Sequence, residues 1–355
     1  MALLPSALDT LTQITLAKFR KGKFNEIVTP YSKYVFFGDL LRSKLKMYDG
    51  GYQYESNLMV ELGANAGAAS MYGTYNLDAE DTNKRIVMPE RTWRTGWIMD
   101  DKELSVNAGS AEKLVDIVVT KEKSSEIQLA NLMERQCGSH PADNTDTETM
   151  WGLPYWIVWH SGASGSFAGG HPSGWSDVAG LSSTTYPNWN NWDDTYVNMT
   201  EDDLFDKWRE ANEETEFTPP VEIPEHGVGY DFAYYVNLPT KLEMMRFTRG
   251  QNQNLGLEVA KGPGNGTPVF YGAPIRYVPL LKDTAYFNAA ALPIYGINWK
   301  TMFWICLNGW NMKRMGPMRK ADQPTVQFNY TFTSANMGCD NRRKNYVLAI
   351  SQPAV

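Results

Sequence analysis

The sequence predicts an α+β protein organised around one long helix and closed by a strand-rich tail. Three observations carry this. Residues 52–62 alternate apolar and polar in the manner of a half-buried strand. Residues from Ser110 to Gly138 repeat with helical period, and after Gly229 short strand patterns follow one another with turn residues between them. At 355 residues, 43% hydrophobic and 21% charged, the chain is long enough to bury a sizeable core in two or more subdomains.

The first 50 residues read as an arm. Leu8, Leu11, Ile14 and Thr15 recur at helical spacing, and Lys18, Arg20, Lys21 and Lys23 form a basic cluster after them, most simply a solvated helix end. The next segment places Tyr52, Tyr54, Leu58, Val60 and Leu62 on one strand face, with Gln53, Glu55, Asn57 and Glu61 on the other. A tip of small residues, Gly63 to Gly73, leads to a second extended run from Arg85 to Met99 that carries Val87, Trp93 and Trp97, with Pro89 and Gly96 as interruptions. A two-stranded ribbon does not hold itself together in water, so its apolar face needs a cover, expected from a second copy of the chain.

The long helix is expected from an N-cap at Ser110, with Glu112 in its first turn, to a C′ residue at Gly138. Leu114, Val118, Ser125, Leu129 and Leu132 form its inner stripe; Lys121, Glu122, Lys123, Glu126, Glu134 and Arg135 are read as mostly solvated. About 28 residues at about 1.5 Å each give a rod of roughly 40 Å, well above the mean helix. Between Met150 and Asn198 the chain holds Trp151, Trp156, Trp159, Trp175, Trp189 and Trp192, half of its 12 tryptophans, among Gly, Ser and Asn. That composition suits an inserted subdomain with a core of a few large rings. A helix then starts at Thr200 with Asp203 in a capping box and sends Leu204, Phe205 and Trp208 inward; Pro219, Pro220 and Pro224 follow it. Strands are expected at 230–237, 268–271, 273–278, 302–307, 310–314, 326–332 and 345–350, a helix at 239–249, and a turn at 262–267.

Chemistry is hard to find. The four histidines, His140, His160, His171 and His226, show no i, i+4 pair and join no cysteine cluster, so no metal site is expected. Ser161 to Ser166 lacks the strand, elbow and helix that a nucleophilic serine needs and reads as loop. Gly262 to Thr267 lacks the lysine of a phosphate loop, and the acidic pairs Asp193/Asp194 and Asp202/Asp203 suit helix starts. Cys137, Cys306 and Cys339 form no CxxC pair and read as free thiols in a reducing compartment. A net charge of −7 argues against a dedicated nucleic-acid binder, and no apolar run reaches membrane-spanning length. No catalysis and no cofactor are expected. The tryptophan-rich segment leaves one competitor, a sugar-stacking platform in a glycan-binding protein or glycosidase.

The order arm, hairpin, long helix, mixed α/β region and closing strands resembles that of the major capsid proteins of tailed bacteriophages, the fold of phage Hong Kong 97. Trp93 to Asn107, Thr267 to Leu280, Leu292 to Phe303 and Thr333 to Ile350, with Asn341, Arg342 and Arg343 before the last strand, are the stretches that resemble landmarks of that family. The resemblance implies an N-terminal arm at 1–50, an extended hairpin loop at 51–100 and a peripheral domain with its spine helix at 101–149. It further implies an inserted subdomain and following helix at 150–228, an axial domain at 229–301 and peripheral strands at 302–355. The implied function is the icosahedral shell around a double-stranded DNA genome, assembled in the host cytoplasm from hexameric and pentameric capsomers. The implied partners are further copies of the chain, a separate scaffolding protein, a portal and decoration proteins, with non-specific proximity to DNA and no membrane. Tyr52, Tyr54, Leu58, Val60 and Leu62 are then the expected intersubunit contact. A cellular nanocompartment shell of the same fold is the alternative closest to this reading.

Overall fold

The computed structural model describes residues 34–61, 68, 71, 82–103, 111–216, 231–251, 269–283, 287, 291–320 and 322–350, without the side chains of 111–117, 247–251 and 320. Leu62, most of the hairpin tip, the Ser110 cap, the side chains of Glu112 and Leu114, the 219–224 prolines, the 262–267 turn and the basic cluster at 18–23 lie outside the described residues.

Two sheets and a hairpin make up the β structure. Strands β1 (Lys44–Tyr48), β4 (Arg91–Asp100), β11 (Met302–Leu307), β12 (Lys313–Lys320) and β13 (Gln323–Cys339) form the first sheet. Ala335 of β13 pairs with both Arg91 and Cys306, so β4 and β11 lie on opposite edges of that long strand. The second sheet runs β5 (Ser164–Ser166), β6 (Trp192–Tyr196), β14 (Tyr346–Ile350), β10 (Ile294–Asn298), β7 (Phe232–Val236), β9 (Ala273–Tyr277) and β8 (Val269–Phe270). Strands β2 (Gln53–Met59) and β3 (Asn83–Pro89) form the hairpin.

The expected arm at 1–50 is, over 34–50, part of the body. Helix α1 (Phe36–Arg42) buries Phe36 and Leu40, and β1 lies parallel to β11. The signal was weak because helix and strand are each shorter than two helical turns or so and no break separates them.

Helix α2 (Ala111–Cys137) is the expected rod and ends one residue before Gly138. Gly138 does not act through a left-handed backbone. A Cβ there would lie 2.4 Å from the Phe287 ring, so the position needs glycine for close packing. Val118, Ser125 and Leu129 are buried as expected, and Leu132 is half-buried. Glu134, read as mostly solvated, is fully buried: its Oε1 accepts the backbone N–H groups of Val35 and Phe36 at 3.2 and 3.3 Å, and its Oε2 that of Phe37 at 2.9 Å. These are the donors at the start of α1 that the helix leaves unsatisfied, so one helix caps another. Burial pushes the Glu134 carboxyl above its usual range, against the lowering pull of those three bonds.

The tryptophan-rich stretch has no sheet of its own. After the short helix α3 (Leu153–Trp156), β6 lies parallel to β14 and β5 antiparallel to β6, so the segment extends the second sheet. Ser164–Ser166, read as loop, is this edge strand. Trp151 stacks on Tyr155 at 4.4 Å and meets Trp156 and Trp175 edge-on at 5.9 Å each. Trp151, Trp156, Trp175, Trp189 and Trp192 are buried, which removes them as a sugar platform. Arg342, fully buried, ties the segment to the C-terminal strands. Its guanidinium donates to the carbonyls of Trp156, Trp189 and Gly170 at 2.7, 2.9 and 2.8 Å and to Asn191 Oδ1 at 3.1 Å. Burial lowers its pKa to about 10.

The helix after Thr200 opens with a π-helical turn (Glu201–Phe205) and continues as α4 (Asp206–Thr215). Thr200 makes no side-chain cap, so the capping box does not form; Asp203 instead accepts the N–H groups of Val197 and Asn198 at 2.8 and 2.7 Å. Leu204 and Trp208 point inward as expected, and α5 (Leu238–Gln251) matches the expected helix. Strand β10 was not expected, and the strand read at 310–314 is a turn leading into β12.

Candidate intersubunit surfaces

The hairpin has the expected polar outer face, with Gln53, Glu55 and Asn57 exposed and Arg85 paired to Glu55 at 2.7 Å. Its inner face differs in two respects. The second arm is two strands broken at Glu90, because Pro89 lacks an N–H for further pairing and β4 crosses to β13. Ile86 and Met88 point inward in place of Val87, since Ser56 and Tyr54, opposite them, share that face.

The five predicted contact residues separate. Leu58 and Val60 are 4% and 7% exposed within a single chain, in one apolar cluster with Val178, Ala179, Leu181 and Trp189. The cover is the tryptophan-rich segment: Val87 N–H donates to the Ala179 carbonyl at 3.1 Å, and Asn188 Nδ2 to the Val60 carbonyl at 3.5 Å. A neighbouring copy is therefore not required for these two. Tyr54 is half-buried, its ring 6.4 Å from Tyr48 and 6.1 Å from Phe303. Tyr52 is 85% exposed, and Leu62 lies outside the described residues. The hairpin root is held by Glu90, whose Oε2 accepts the hydroxyls of Tyr48 and Ser334, both at 2.9 Å.

A second surface was not singled out from the sequence. Helix α2 covers one face of the first sheet: Thr95 meets Ser125 at 3.1 Å, and Arg314, opposite Thr331, pairs with Glu122 at 2.6 Å and with Glu126. Gln327 and Thr333 are buried on that face, and Gln327 donates to Asp101 at 2.9 Å. By strand alternation Phe328, Tyr330 and Phe332 point the other way. Their rings form a ladder along β13, at 5.3 and 5.7 Å, extended by Trp310 at 6.3 Å from Phe332. Ile98 and Met318, both directly opposite Phe328, flank the ladder, and Ile98 is 64% exposed. A Cβ on Gly96 would fall 2.7 Å from the Tyr330 ring, so glycine there lets the ring lie flat across β4. Strand β13 thus turns Gln327, Asn329, Thr331 and Thr333 toward the helix and Phe328, Tyr330 and Phe332 away from it. The alternation of Val326, Phe328, Tyr330 and Phe332 is the signal that marks this face; its direction is not in the sequence.

No protein-family model matches the chain, and no curated protein matches it in sequence. Solved structures do. The capsid asymmetric unit of cyanophage A-1(L) superposes with a TM-score of 0.57 at 12% identity, over 96% of this chain and 99% of that one. The mature capsid of bacteriophage PhiM1 gives 0.52 at 11% identity, over 94% and 91%. The capsid of Myoviridae phage XM1 gives 0.52 at 10% identity, over 99% of each. At such identity the likeness is one of backbone, and the chain has the phage capsid fold.

Proposed function

We propose that this chain is the major capsid protein of a tailed double-stranded DNA bacteriophage, building the icosahedral shell from copies of itself. The carrying observation is the capsid fold matched over nearly the full length of both chains. The aromatic face of β13 supports it, since a monomer gains little by leaving Ile98 exposed and Phe328, Tyr330 and Phe332 only half-buried in a row while burying Gln327 and Thr333. Exposed apolar patches of this kind fit contacts between identical subunits in rings, whose two contacting patches differ. Among the described residues of the predicted set, Tyr52, at the hairpin root, is the one well placed to reach a neighbour. The role is structural, with hexameric and pentameric capsomers as the assembly units and a scaffolding protein, a portal and decoration proteins as further partners. The loop, axial and peripheral boundaries read from the sequence belong to this proposal.

The test is expression of the full chain alone and with its neighbouring genes, followed by light scattering on a sizing column and negative-stain electron microscopy. Capsomer rings or closed shells are the expected species. A strictly monomeric product under both conditions overturns the proposal.

A further inference from the structure

Strand β1 is the outermost strand of the first sheet, parallel to β11 on one side and without a strand on its other side among the described residues. The Tyr48 carbonyl accepts the Asn308 N–H at 3.0 Å, so Tyr48 turns its backbone groups toward β11. In a parallel pair both groups of one residue point to the same side, and the side alternates along the strand. Lys44 and Lys46 therefore also face β11, while the N–H and C=O of Leu45 and Met47 point out of the sheet. The side chains of these two residues are 46% and 54% exposed, although their neighbours on β11, Trp304 and Cys306, are buried. Sheets usually guard such an edge with charge. Here the central lysine is drawn aside: Lys46 donates to both oxygens of Asp340 at 3.1 and 2.8 Å, and its ammonium lies over the Phe303 ring at 3.8 Å. The remaining charges are sorted by end. Before and at the start of β1 stand Arg42, 3.8 Å from Asp39 and largely exposed, and the exposed Lys44. At its end stand Asp49, which accepts Asn308 Nδ2 at 2.7 Å, and Glu90, which accepts the Tyr48 hydroxyl and has no ion pair among the described residues.

We propose that β1 pairs edge to edge with β1 of a second copy, antiparallel, about a two-fold axis at Lys46. The edge is its own complement. Antiparallel pairing about Lys46 sets Leu45 opposite Met47 of the second copy and Met47 opposite its Leu45. The outward N–H and C=O groups then form four hydrogen bonds, and each exposed apolar side chain covers another. The charges select the antiparallel direction, because it lays Arg42 and Lys44 of one copy along the end that holds Asp49 and Glu90 of the other. A parallel pair would set like charges together. Lys44 falls opposite Tyr48, beside the open groove of Tyr48, Tyr52, Tyr54 and Glu55 at the hairpin root, where its stem can lie on a ring with the ammonium near Glu90. The two Lys46 residues meet at the axis, and each carries its own Asp340. The contact is isologous and closes a pair, so it is distinct from the heterologous contacts that build rings, and it stands whether or not the chain forms a shell.

The experiment is disulfide trapping in the full-length chain. Leu45→Cys and Met47→Cys are made as separate variants, each with Cys306→Ala, since Cys306 lies opposite Met47 on β11 and would otherwise offer a thiol within the chain; Cys137 and Cys339 are buried. The two variants are co-expressed, oxidised mildly and read on non-reducing gels, with mass spectrometry of the linked peptides and circular dichroism to show that each is folded. Opposed residues in this register lie about 5.5 Å apart at Cα, within disulfide reach, whereas identical residues of the two copies lie on a diagonal of about 7 to 8 Å. A 45-to-47 cross-link is therefore expected in the mixture, with its loss in either variant alone. Adding Lys44→Glu to both variants sets a carboxylate beside Glu90 and is expected to lower the yield about tenfold at low salt. The proposal is overturned by no cross-link in the mixture, by equal cross-linking in the single variants, or by a yield unchanged on Lys44→Glu. Shells or rings that form without the cross-link overturn this contact and leave the shell reading standing, and a cross-linked pair that never grows larger does the reverse.

Discussion

The two sheets solve the same packing problem in opposite ways. In the second sheet β6, β7 and β10 are buried along their whole length and β14 up to Ala349, under Trp208 of α4 on one side and the tryptophan-rich core on the other. In the first sheet, β12 and the leading half of β13 are covered by α2 on one face and, among the described residues, by no other element on the other. A sheet covered on both faces is stabilised by its own chain. A sheet covered on one face, with rings on the other, has contact area left for another molecule. Stability and assembly are thus separable here, and substitutions in the two regions are expected to break different properties.

The largest expected effect on the fold is at the junction between hairpin and tryptophan-rich segment. Leu58→Asp together with Val60→Asp places two carboxylates where apolar side chains are packed, with loss of roughly 5 kcal/mol or more expected from burial lost and charge buried. Urea unfolding of the purified chain measures it. A double variant that unfolds like wild type but fails to assemble shows instead that a neighbouring copy, and not the chain itself, covers this face.

Arg342→Met comes next. The substitution keeps most of the volume but leaves the carbonyls of Trp156, Trp189 and Gly170 without their donor, and a loss of about 3 to 5 kcal/mol is expected. Arg342→Lys is expected to recover little, since an ammonium does not span carbonyls spaced for a guanidinium fork. Equal stability of wild type and Arg342→Met by urea unfolding counts against the role assigned to this residue.

Glu134 gives a smaller, pH-dependent effect. Its folded carboxyl titrates above the ordinary glutamate value of 4.5, so the unfolded chain releases its proton first as pH rises. The stability contributed by the protonated form is fully present below that value and is lost as pH climbs through the raised folded value. Glu134→Gln keeps one acceptor oxygen, enough for Val35 and Phe36 but not also for Phe37, and carries no charge to bury. The melting temperature of this variant is expected to lack the part of the decline that Glu134 contributes in wild type between about pH 4.5 and the folded value. An identical decline in both proteins rules the assignment out.

Which features were legible in the sequence follows from what set them. The rod 111–137, the strand 302–307 and the polar outer face of the hairpin are local patterns, repeated over enough residues to stand out. Glu134 and Arg342 could not be assigned from pattern, because what buries them is 97 or more residues away in sequence. Leu58 and Val60 were rightly placed on an apolar face, but the identity of the cover, residues 178–189, is a tertiary fact. The ladder on β13 illustrates the converse. Its alternation is plain in the sequence, yet the usual assumption that aromatic residues face inward reverses the two sides of the strand.

That reversed strand offers the sharpest division between fold and assembly. Phe328→Glu and Tyr330→Glu change side chains that are half-buried by one another but not covered by α2, and each ring pair contributes about 0.5 to 1.5 kcal/mol. A combined cost to the fold of about 1 to 2 kcal/mol is expected, with a circular dichroism spectrum close to wild type. Assembly is expected to fail, because two carboxylates set beside Ile98 and Met318 must lose their water on docking, while the cations that share this face, Arg94 and Lys313, lie opposite Phe332 and not opposite the substituted positions. Sizing with light scattering of the double variant, produced beside wild type, reads the outcome. Shells formed by the variant at wild-type yield show that this face of β13 stays in solvent after assembly, and the hairpin root at Tyr52 then becomes the first intersubunit surface to probe.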